Sequence, residues 1–336
     1  MKKVKIAQIG VNSLSHAVQI FASLAKQSDL FEIAGYTLVE NEREKFADKL
    51  SVFDGYKELT LDEILNDPTI TAVTVETEEI HLTKYALLAA KAGKHIHMEK
   101  PGGCDPDEFA ALIDIMKQTG KVFHTGYMYR YNPYVQDLMT QVKQGELGEI
   151  ISVEAQMNCR HTPENRQWLR NFPGGMMFFL GCHLVDLILQ IQGKPDAVIP
   201  MNKCTGIDGV TSEDFGFALF VYKNGVSFAK TNAEEIGGFA RRQLVVTGSK
   251  KTVELKPLEM PFLYGEAGQY TERTEYTVEA PWTNRGETTQ SPAHDRYAPM
   301  MAAFARMAAG EIENPWTYDY ELYLYQTLLK ACGKEN

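Results

Sequence analysis

The sequence predicts an α/β protein, with a doubly wound parallel sheet at the N-terminus and then a region built mainly of antiparallel strands. Two observations carry this. Over the first 125 residues, short β-branched apolar runs alternate with segments of helical period across short connections, the pattern of successive β-α-β units. From Ile150 onward strand-like stretches predominate.

Val4 to Ile9 is the first strand, ended by Gly10. Ala17 to Lys26 follows as a helix with Ala17, Ile20, Phe21 and Leu24 at helical spacing. Phe31 to Leu38 reads as a second strand, Glu42 to Leu50 as a helix, Leu61 to Leu65 as a shorter helix and Ile70 to Val75 as the third strand. Leu82 to Ala92 is a helix stopped by Gly93, and His95 to Met98 is the fourth strand. Asp105 to Thr119 is a helix stopped by Gly120, and Val122 to Thr125 the fifth strand. A domain boundary is expected near Gly126, dividing residues 1–125 from 126–336, with packing of the last helices back on the first domain left open. Beyond it Tyr134 to Lys143 and His183 to Gln192 read as helices. Ile151 to Met157, Phe215 to Tyr222, Val226 to Asn232, Gln243 to Thr247 and Thr252 to Leu255 read as strands, with Asn224-Gly225 as a hairpin signal. Residues 259–293 are the most loop-like stretch, and two helices, Tyr297 to Ala309 and Tyr318 to Ala331, close the chain.

The 336 residues are 44% hydrophobic, ample for two cores, and the ordinary charged fraction argues against disorder. A net charge of -10 disfavours nucleic acid, whose phosphates need a basic face. Cys104, Cys159, Cys182, Cys204 and Cys332 are odd in number and lack C-x-x-C spacing, which fits free thiols in a reducing compartment. Asn12, Ser13 and Ser15 interrupt the N-terminal apolar run too early for a signal-peptide core. No apolar run approaches the ~20 residues that span a bilayer. A cytoplasmic protein without a membrane or nucleic-acid partner is expected.

The first strand runs into Gly10-Val11-Asn12-Ser13-Leu14-Ser15. A dinucleotide-binding Rossmann turn uses G-x-G-x-x-G/A, for a tight turn, a close approach to the pyrophosphate and close helix packing. Gly10 is retained, Asn12 tolerates left-handed backbone angles and Ser15 is small. Gly10, Asn12, Ser13 and Leu14 are therefore candidate cofactor residues, although an ordinary strand-to-helix turn reads the same way. Leu38 stands where an acid for the ribose hydroxyls is expected. Glu40, two positions on, is either that ligand or a solvated loop residue. Glu76, Glu78 and Glu79 follow the third strand, where negative charge opposes an anionic cofactor unless the side chains turn away.

Ala90-Lys91-Ala92-Gly93-Lys94-His95-Ile96-His97-Met98-Glu99-Lys100-Pro101 resembles the A-G-K-H-V-x-x-E-K-P segment of the glucose-fructose oxidoreductase / inositol dehydrogenase family (Gfo/Idh/MocA). Further segments resemble that family in order. They are Val75 to His81, Arg130-Tyr131-Asn132-Pro133, Gly145 to Ile150, Gly174-Gly175 with Gly181 to Asp186, and Gln243 to Leu255. The resemblance covers nearly the whole chain. It implies an NAD(P)-binding Rossmann domain followed by an α/β domain with a large, mostly antiparallel sheet. It also implies hydride transfer between nicotinamide and an alcohol carbon of a sugar, cyclitol or related polyol, in a homodimer or homotetramer.

Lys100 and His183 match the family's lysine and histidine at the substrate site, and Phe179 replaces its aspartate. His183 suits the role of base, because imidazole titrates near neutrality, and Lys100 would stabilise charge developing on oxygen. Asp186, three residues on, shares a helical face with His183. Glu76, His81 and Glu99 join the cofactor candidates. Tyr127, Tyr129, Arg130, His161, Arg166 and Trp168 are further pocket candidates, each equally readable as packing or surface. Glu40 and Glu42 would repel a 2′-phosphate, so NAD is favoured over NADP, with Arg43 the nearest arginine. No metal site is expected, since His95 and His97 lack a third ligand. The departures at Asn12, Leu38 and Phe179 leave a second reading open, a member that binds a ligand or partner without redox turnover.

Overall fold

The computed structural model describes residues 3–12, 14–262, 268–278 and 283–334. The chain forms two compact units, Met1–Met128 with Tyr297–Tyr323, and Tyr129–Arg296 with Leu324–Asn336.

In the first unit five parallel strands stand in the order β2-β1-β3-β4-β5, with β1 Val4–Ile9, β2 Phe31–Thr37, β3 Ala72–Val75, β4 His95–Met98 and β5 Phe123–Thr125. A parallel sheet is covered on both faces, so its strands are near-continuous apolar runs. Ile6, Ala7, Ile9, Val73, Val75 and Ile96 are all fully buried. The connecting helices are α1 Ala17–Lys26, α2 Glu42–Lys45, α3 Leu61–Asn66, α4 Leu82–Lys91 and α5 Pro106–Thr119. α1 buries Ala17, Ile20, Phe21 and Leu24, the stripe its period predicts. α3 opens on a capping box. Thr60 Oγ1 accepts from the Glu63 N–H at 3.1 Å, and Glu63 Oε2 accepts from the Thr60 N–H at 2.7 Å. The helix Ala298–Ala308 packs against α1 and lays Phe304 on His97 and His124, with ring centroids 5.8 and 5.5 Å apart.

The helix expected over Glu42 to Leu50 is two pieces, α2 and a 3₁₀ segment Ala47–Phe53. Phe46 breaks the helix at φ −126°. Leu50, Val52 and Phe53 then join the cluster of Val11, Ala17 and Phe21, so tertiary burial overrides the local helical period. β2 lies on one side of β1 and β3 on the other. The crevice beyond the carboxyl ends of β1 and β3 is therefore a topological switch point, where open α/β sheets bind ligands.

The second unit holds a mixed sheet of eight strands in the order β15-β14-β11-β10-β6-β9-β8-β7. These are β6 Ile150–Asn158, β7 Ala197–Pro200, β8 Phe215–Tyr222, β9 Gly225–Asn232, β10 Gln243–Gly248, β11 Lys251–Leu255, β14 Glu272–Thr277 and β15 Glu287–Gln290. β12 Met260–Pro261 and β13 Gln269–Tyr270 pair separately. Neighbours in the large sheet are antiparallel except β6 and β9. The helices of this unit include α6 Pro133–Lys143, α7 Pro163–Trp168 and α8 Cys182–Gln192, and α8 packs on β6 and β9. Val153, Ala155, Ala218, Phe220, Ala229, Leu244 and Val246 are buried in the sheet's core face, while Ile151, Ile199 and Val226 remain 42 to 46% exposed.

Two sequence expectations change here. Within residues 259–293, the most loop-like stretch of the sequence, the described residues include four strands, β12 to β15. β14 is strongly polar and β15 is exposed throughout, so neither shows apolar alternation. In the β8–β9 hairpin Tyr222 pairs with Gly225, which makes Lys223-Asn224 the loop. A Cβ on Gly225 would fall 2.0 Å from the Ile151 carbonyl oxygen, so close strand approach demands that glycine.

Candidate functional site

Gly10, Val11 and Asn12 after β1 face Glu76 and Thr77 after β3. Gly10 holds φ +85°, and a Cβ there would lie 2.7 Å from Thr77 N and Cα. A side chain is excluded both by conformation and by space. Asn12 Nδ2 donates to Thr77 O at 3.0 Å and to Glu79 Oε2 at 3.4 Å. Asn12 Oδ1 accepts from the N–H groups of Leu14 at 2.8 Å and Ser15 at 2.9 Å. One side chain thus braces the turn and takes two N–H groups leading into α1. Ser13 lies outside the described residues.

Leu38 packs against the cluster of Val11, Ala17, Phe21 and Phe53. Glu40 sits at φ 49°. Its Oε1 accepts from the Tyr85 hydroxyl at 2.8 Å and from Lys84, and His81 Nδ1 lies 4.0 Å away. Lys84 and Tyr85 hold the Glu40 carboxyl below its ordinary range. Arg43 is paired with Glu58.

Carboxyl groups crowd the same crevice, with Glu42, Glu76, Glu79 and Glu99 each no more than 1% exposed. Glu42 Oε2 accepts from the Val39 N–H at 2.9 Å. Burial pushes Glu42 up to about 7, against the opposing pull of Thr77 and of the Val39 and Val11 N–H groups. Burial likewise pushes Glu79 up to about 7, opposed mainly by Lys100. Glu76 is raised well above the carboxylate range by burial and then by Glu99 and Glu79. Neither of its oxygens has a hydrogen-bond partner among the described residues, and His97 Nε2 lies 3.5 Å away. Burial depresses His97 to about 3, so that ring is neutral. Its Nδ1 lies 2.7 Å from His124 Nδ1, and one proton joins the two rings. Of the three acids after β3, Glu78 turns to Lys45 at 2.7 Å, while Glu76 and Glu79 are buried. Lys100 is 2% exposed, with Nζ 3.8 Å from Glu99 Oε1, and the Lys100–Pro101 peptide is cis. Tyr127 is buried.

In the second unit a π-helical turn, Met177–Gly181, leads into α8. Such turns recur at functional sites, and this one carries Phe179 with His183 just beyond. Phe179 is 5% exposed. It meets Trp168 edge-on at 5.3 Å, stacks on Phe172 at 6.1 Å and lies 6.4 Å from His161. Three candidate pocket residues, His161, Trp168 and Phe179, are thus brought together as an aromatic wall. Burial, then Arg242 and Arg166, lower the His161 pKa. His183 is buried, with Tyr129 edge-on at 5.4 Å.

Other candidates are committed to structure. Arg130 grips Asp186 through Nε at 3.0 Å and Nη2 at 2.8 Å, and Gln190 donates to the same carboxylate at 2.8 Å. Arg166 is fully buried against Asp208, Asp214 and Glu234. Sequence reasoning missed one cluster. The Tyr129 hydroxyl donates to Glu259 at 2.5 Å, and Arg242 and Arg296 pair with the same carboxylate. Burial alone would raise Glu259, yet the two arginines hold it below its ordinary range. These residues are too far apart in sequence to form a motif.

The NAD-binding Rossmann-fold model of the oxidoreductase family matches residues 4–127, and the GFO/IDH/MocA C-terminal domain model matches residues 135–254. The chain belongs to the Gfo/Idh/MocA oxidoreductase family. Among relatives, D-xylose 1-dehydrogenase (NADP(+)) 2 of Haloferax volcanii is 28% identical over 213 residues, 62% of each chain. The trans-1,2-dihydrobenzene-1,2-diol dehydrogenase of Mus musculus is 25% identical over 229 residues, 66% of this chain and 65% of its own. The matches therefore span less than two thirds of these relatives' length. The fold matches levoglucosan dehydrogenase, solved with NADH and levoglucosan, at TM-score 0.78 and 16% identity over 99% of this chain and 96% of that one. Among the described residues no helix is long and apolar enough to cross a membrane, and no group of three or more His, Cys, Asp or Glu is placed to hold a metal ion.

Proposed function

We propose that the chain is an NAD(P)-dependent oxidoreductase moving a hydride between nicotinamide and an alcohol carbon of a sugar, cyclitol or related polyol, with NAD preferred. The observation that carries this reading is the buried Lys100–Glu99 pair at the end of β4, in the unit that also holds the Gly10 turn. A buried Lys–Glu pair carries a desolvation cost, and this one stands at the carboxyl end of a parallel strand, where open α/β sheets bind ligands.

The Gly10 turn suits a dinucleotide, because it stands at the switch point, where φ +85° and the missing Cβ let the chain turn tightly against Thr77. Gly10, Asn12, Ser13 and Leu14 would hold the pyrophosphate and Glu40 the ribose, with Glu76, His81, Glu99 and Lys100 lining the same crevice. Arg43, the nearest arginine, is already paired with Glu58, which supports NAD. When bound, the dinucleotide supplies the hydride acceptor or donor. Lys100 polarises the substrate oxygen, and His183 takes the hydroxyl proton. Tyr127, His161, Trp168 and Phe179 contact the substrate, and the aromatic wall suits the C–H face of a ring. Relatives named for D-xylose and scyllo-inositol support the polyol class. The apolar Ile199 and Val226, which alternate with the buried Ala218, Phe220 and Ala229 side of the sheet, support pairing of two copies through the exposed sheet face.

Isothermal titration with NAD, NADH, NADP and NADPH tests the reading, followed by a sugar and cyclitol screen with Lys100→Ala and His183→Ala controls. Binding of one pair and turnover lost in both variants supports it. Phe179, which cannot carry a proton, favours the second reading of ligand binding without turnover. Cofactor binding with no turnover on any polyol would select that reading, and failure of all four nucleotides to bind would sink the first.

A further inference from the structure

We propose that Tyr129 is a positioning residue for His183, held in place by Glu259 and its two arginines, so that a buried ionic cluster in the second unit sets where the base of the reaction stands. This rests on the reading of His183 as that base and deepens it by naming what aims the imidazole.

His183 is the second residue of α8, just past the π-helical turn. The helix fixes its Cα, but χ2 of an imidazole is a broad, soft torsion, so the groups packed against the ring fix its plane. One of them is Tyr129, which opens the second unit and is buried. The two rings meet edge-on, with centroids 5.4 Å apart and planes at 77°, an arrangement that aromatic pairs prefer. The Tyr129 hydroxyl donates to Glu259 Oε1 at 2.5 Å. The ring is therefore tethered at both ends of its long axis, by its own Cα and by its hydroxyl.

The far tether is stiff because of what pins Glu259. Arg242 Nη1 and Arg296 Nη2 donate to the same oxygen, Oε1. Arg242 is fixed in turn, its Nε donating to Asn158 O at 3.3 Å and its guanidinium lying 3.9 Å from the centre of the Phe239 ring. Glu259 is 2% exposed, and hydrogen bonds to an ionised acceptor are the strong ones. Burial and then Glu259 push the Tyr129 phenol above its ordinary range, so it keeps its proton and donates. Two arginines already neutralise the carboxylate, and the phenol adds nothing to that balance of charge. What it adds is a fixed ring beside the histidine.

A general base acts only within hydrogen-bond reach of the proton it takes, and a misplacement of about 1 Å costs about 10²-fold in rate. Tyr129→Phe keeps the ring and both ion pairs of Glu259 and removes the far tether alone.

The test is nuclear magnetic resonance of the whole chain with isotope-labelled histidine, without ligand, the signals being assigned with His183→Asn and His161→Asn. In Tyr129→Phe the ring signals of His183 are expected to shift or broaden, while those of His161, which lies against Phe179 on the aromatic wall, stay in place. A polyol turned over by the wild type should then lose kcat by up to about 10²-fold, with KM little changed. Unchanged His183 signals overturn the proposal, and so do shifts of both histidines, which report a general loosening. If Tyr129→Phe fails to fold, the wild type decides. A slowly exchanging Tyr129 hydroxyl proton and an Overhauser contact from that ring to His183 support the proposal, and absence of either overturns it. Full turnover of a polyol by His183→Ala would instead sink the reading of His183 as base, wherever its signals lie.

Discussion

Asp186→Ala separates a structural from a ligand-binding role for Arg130. The guanidinium makes two parallel bonds to Asp186, at 3.0 and 2.8 Å, with side-chain exposures of 0% and 2%. Removing the carboxylate leaves a buried cation without its bidentate partner, which costs about 3–5 kcal/mol. Arg130→Met should lose a similar amount, because Asp186 then keeps Gln190 but loses its counter-charge. The double variant Arg130→Met with Asp186→Leu should lose far less than the sum, since a buried ion pair exchanged for apolar groups of similar volume is often close to neutral. The assay is urea denaturation followed by circular dichroism, with the midpoint read at unchanged slope. Single variants within about 0.5 kcal/mol of wild type, or strict additivity in the double, would refute the reasoning and return Arg130 to the candidates for substrate contact.

Other outcomes follow from the same geometry. Gly10→Ala forces a Cβ to within 2.7 Å of Thr77 at φ +85°; it should abolish NADH binding in calorimetry and lower stability by about 1–3 kcal/mol. Phe179→Ala empties the centre of the aromatic wall and should cost about 3–5 kcal/mol in denaturation, so a neutral result would mean that the ring is not packed as described. His95 Nδ1 accepts from the Val122 N–H at 3.1 Å, and burial lowers the ring to about 4. The unfolded chain therefore binds a proton first as pH falls, and stability drops between about pH 6.5 and 4, by at most about 1.4 kcal/mol per unit. His95→Asn should lose less over that window in a pH series of thermal melts. Arg43→Ala breaks an exposed pair with Glu58 and should leave the denaturation midpoint unchanged, without changing the ratio of NADH to NADPH affinity.

What the sequence disclosed, and what it hid, has a physical pattern. The first sheet was readable because strands buried on both faces must be apolar, and Gly93 and Gly120 mark helix ends with φ of 70° and 63°. β14 and β15 escaped because strands built of polar residues show no apolar alternation. The helix expected over Glu42 to Leu50 failed where Phe53 gained more from packing on Phe21, at 4.7 Å, than from continuing the helix. At the site, Gly10 was legible because backbone geometry permits only glycine there. The burial of Glu42 and Glu79 was not, since a charged residue in a loop reads as solvated until the fold encloses it. Arg130 was placed among the pocket residues because a motif records which residue type recurs and not what it touches.

The first unit is not continuous along the chain. Tyr297–Tyr323 belong to it, with Tyr297 hydroxyl to His16 Nδ1 at 2.7 Å, Asn314 Nδ2 to Phe123 O at 2.8 Å and Phe304 over the paired histidines. During synthesis from the N-terminus, the five-stranded sheet emerges long before these segments. Until residues 297–323 leave the ribosome, the face that Phe304 covers stays open, and nearly all of the second unit is made in the meantime. Domains usually complete themselves in the order they are translated. Here the earliest sheet is finished only by nearly the last segment, so a chain stalled or cut after β15 leaves both units incomplete and exposed to aggregation and proteolysis.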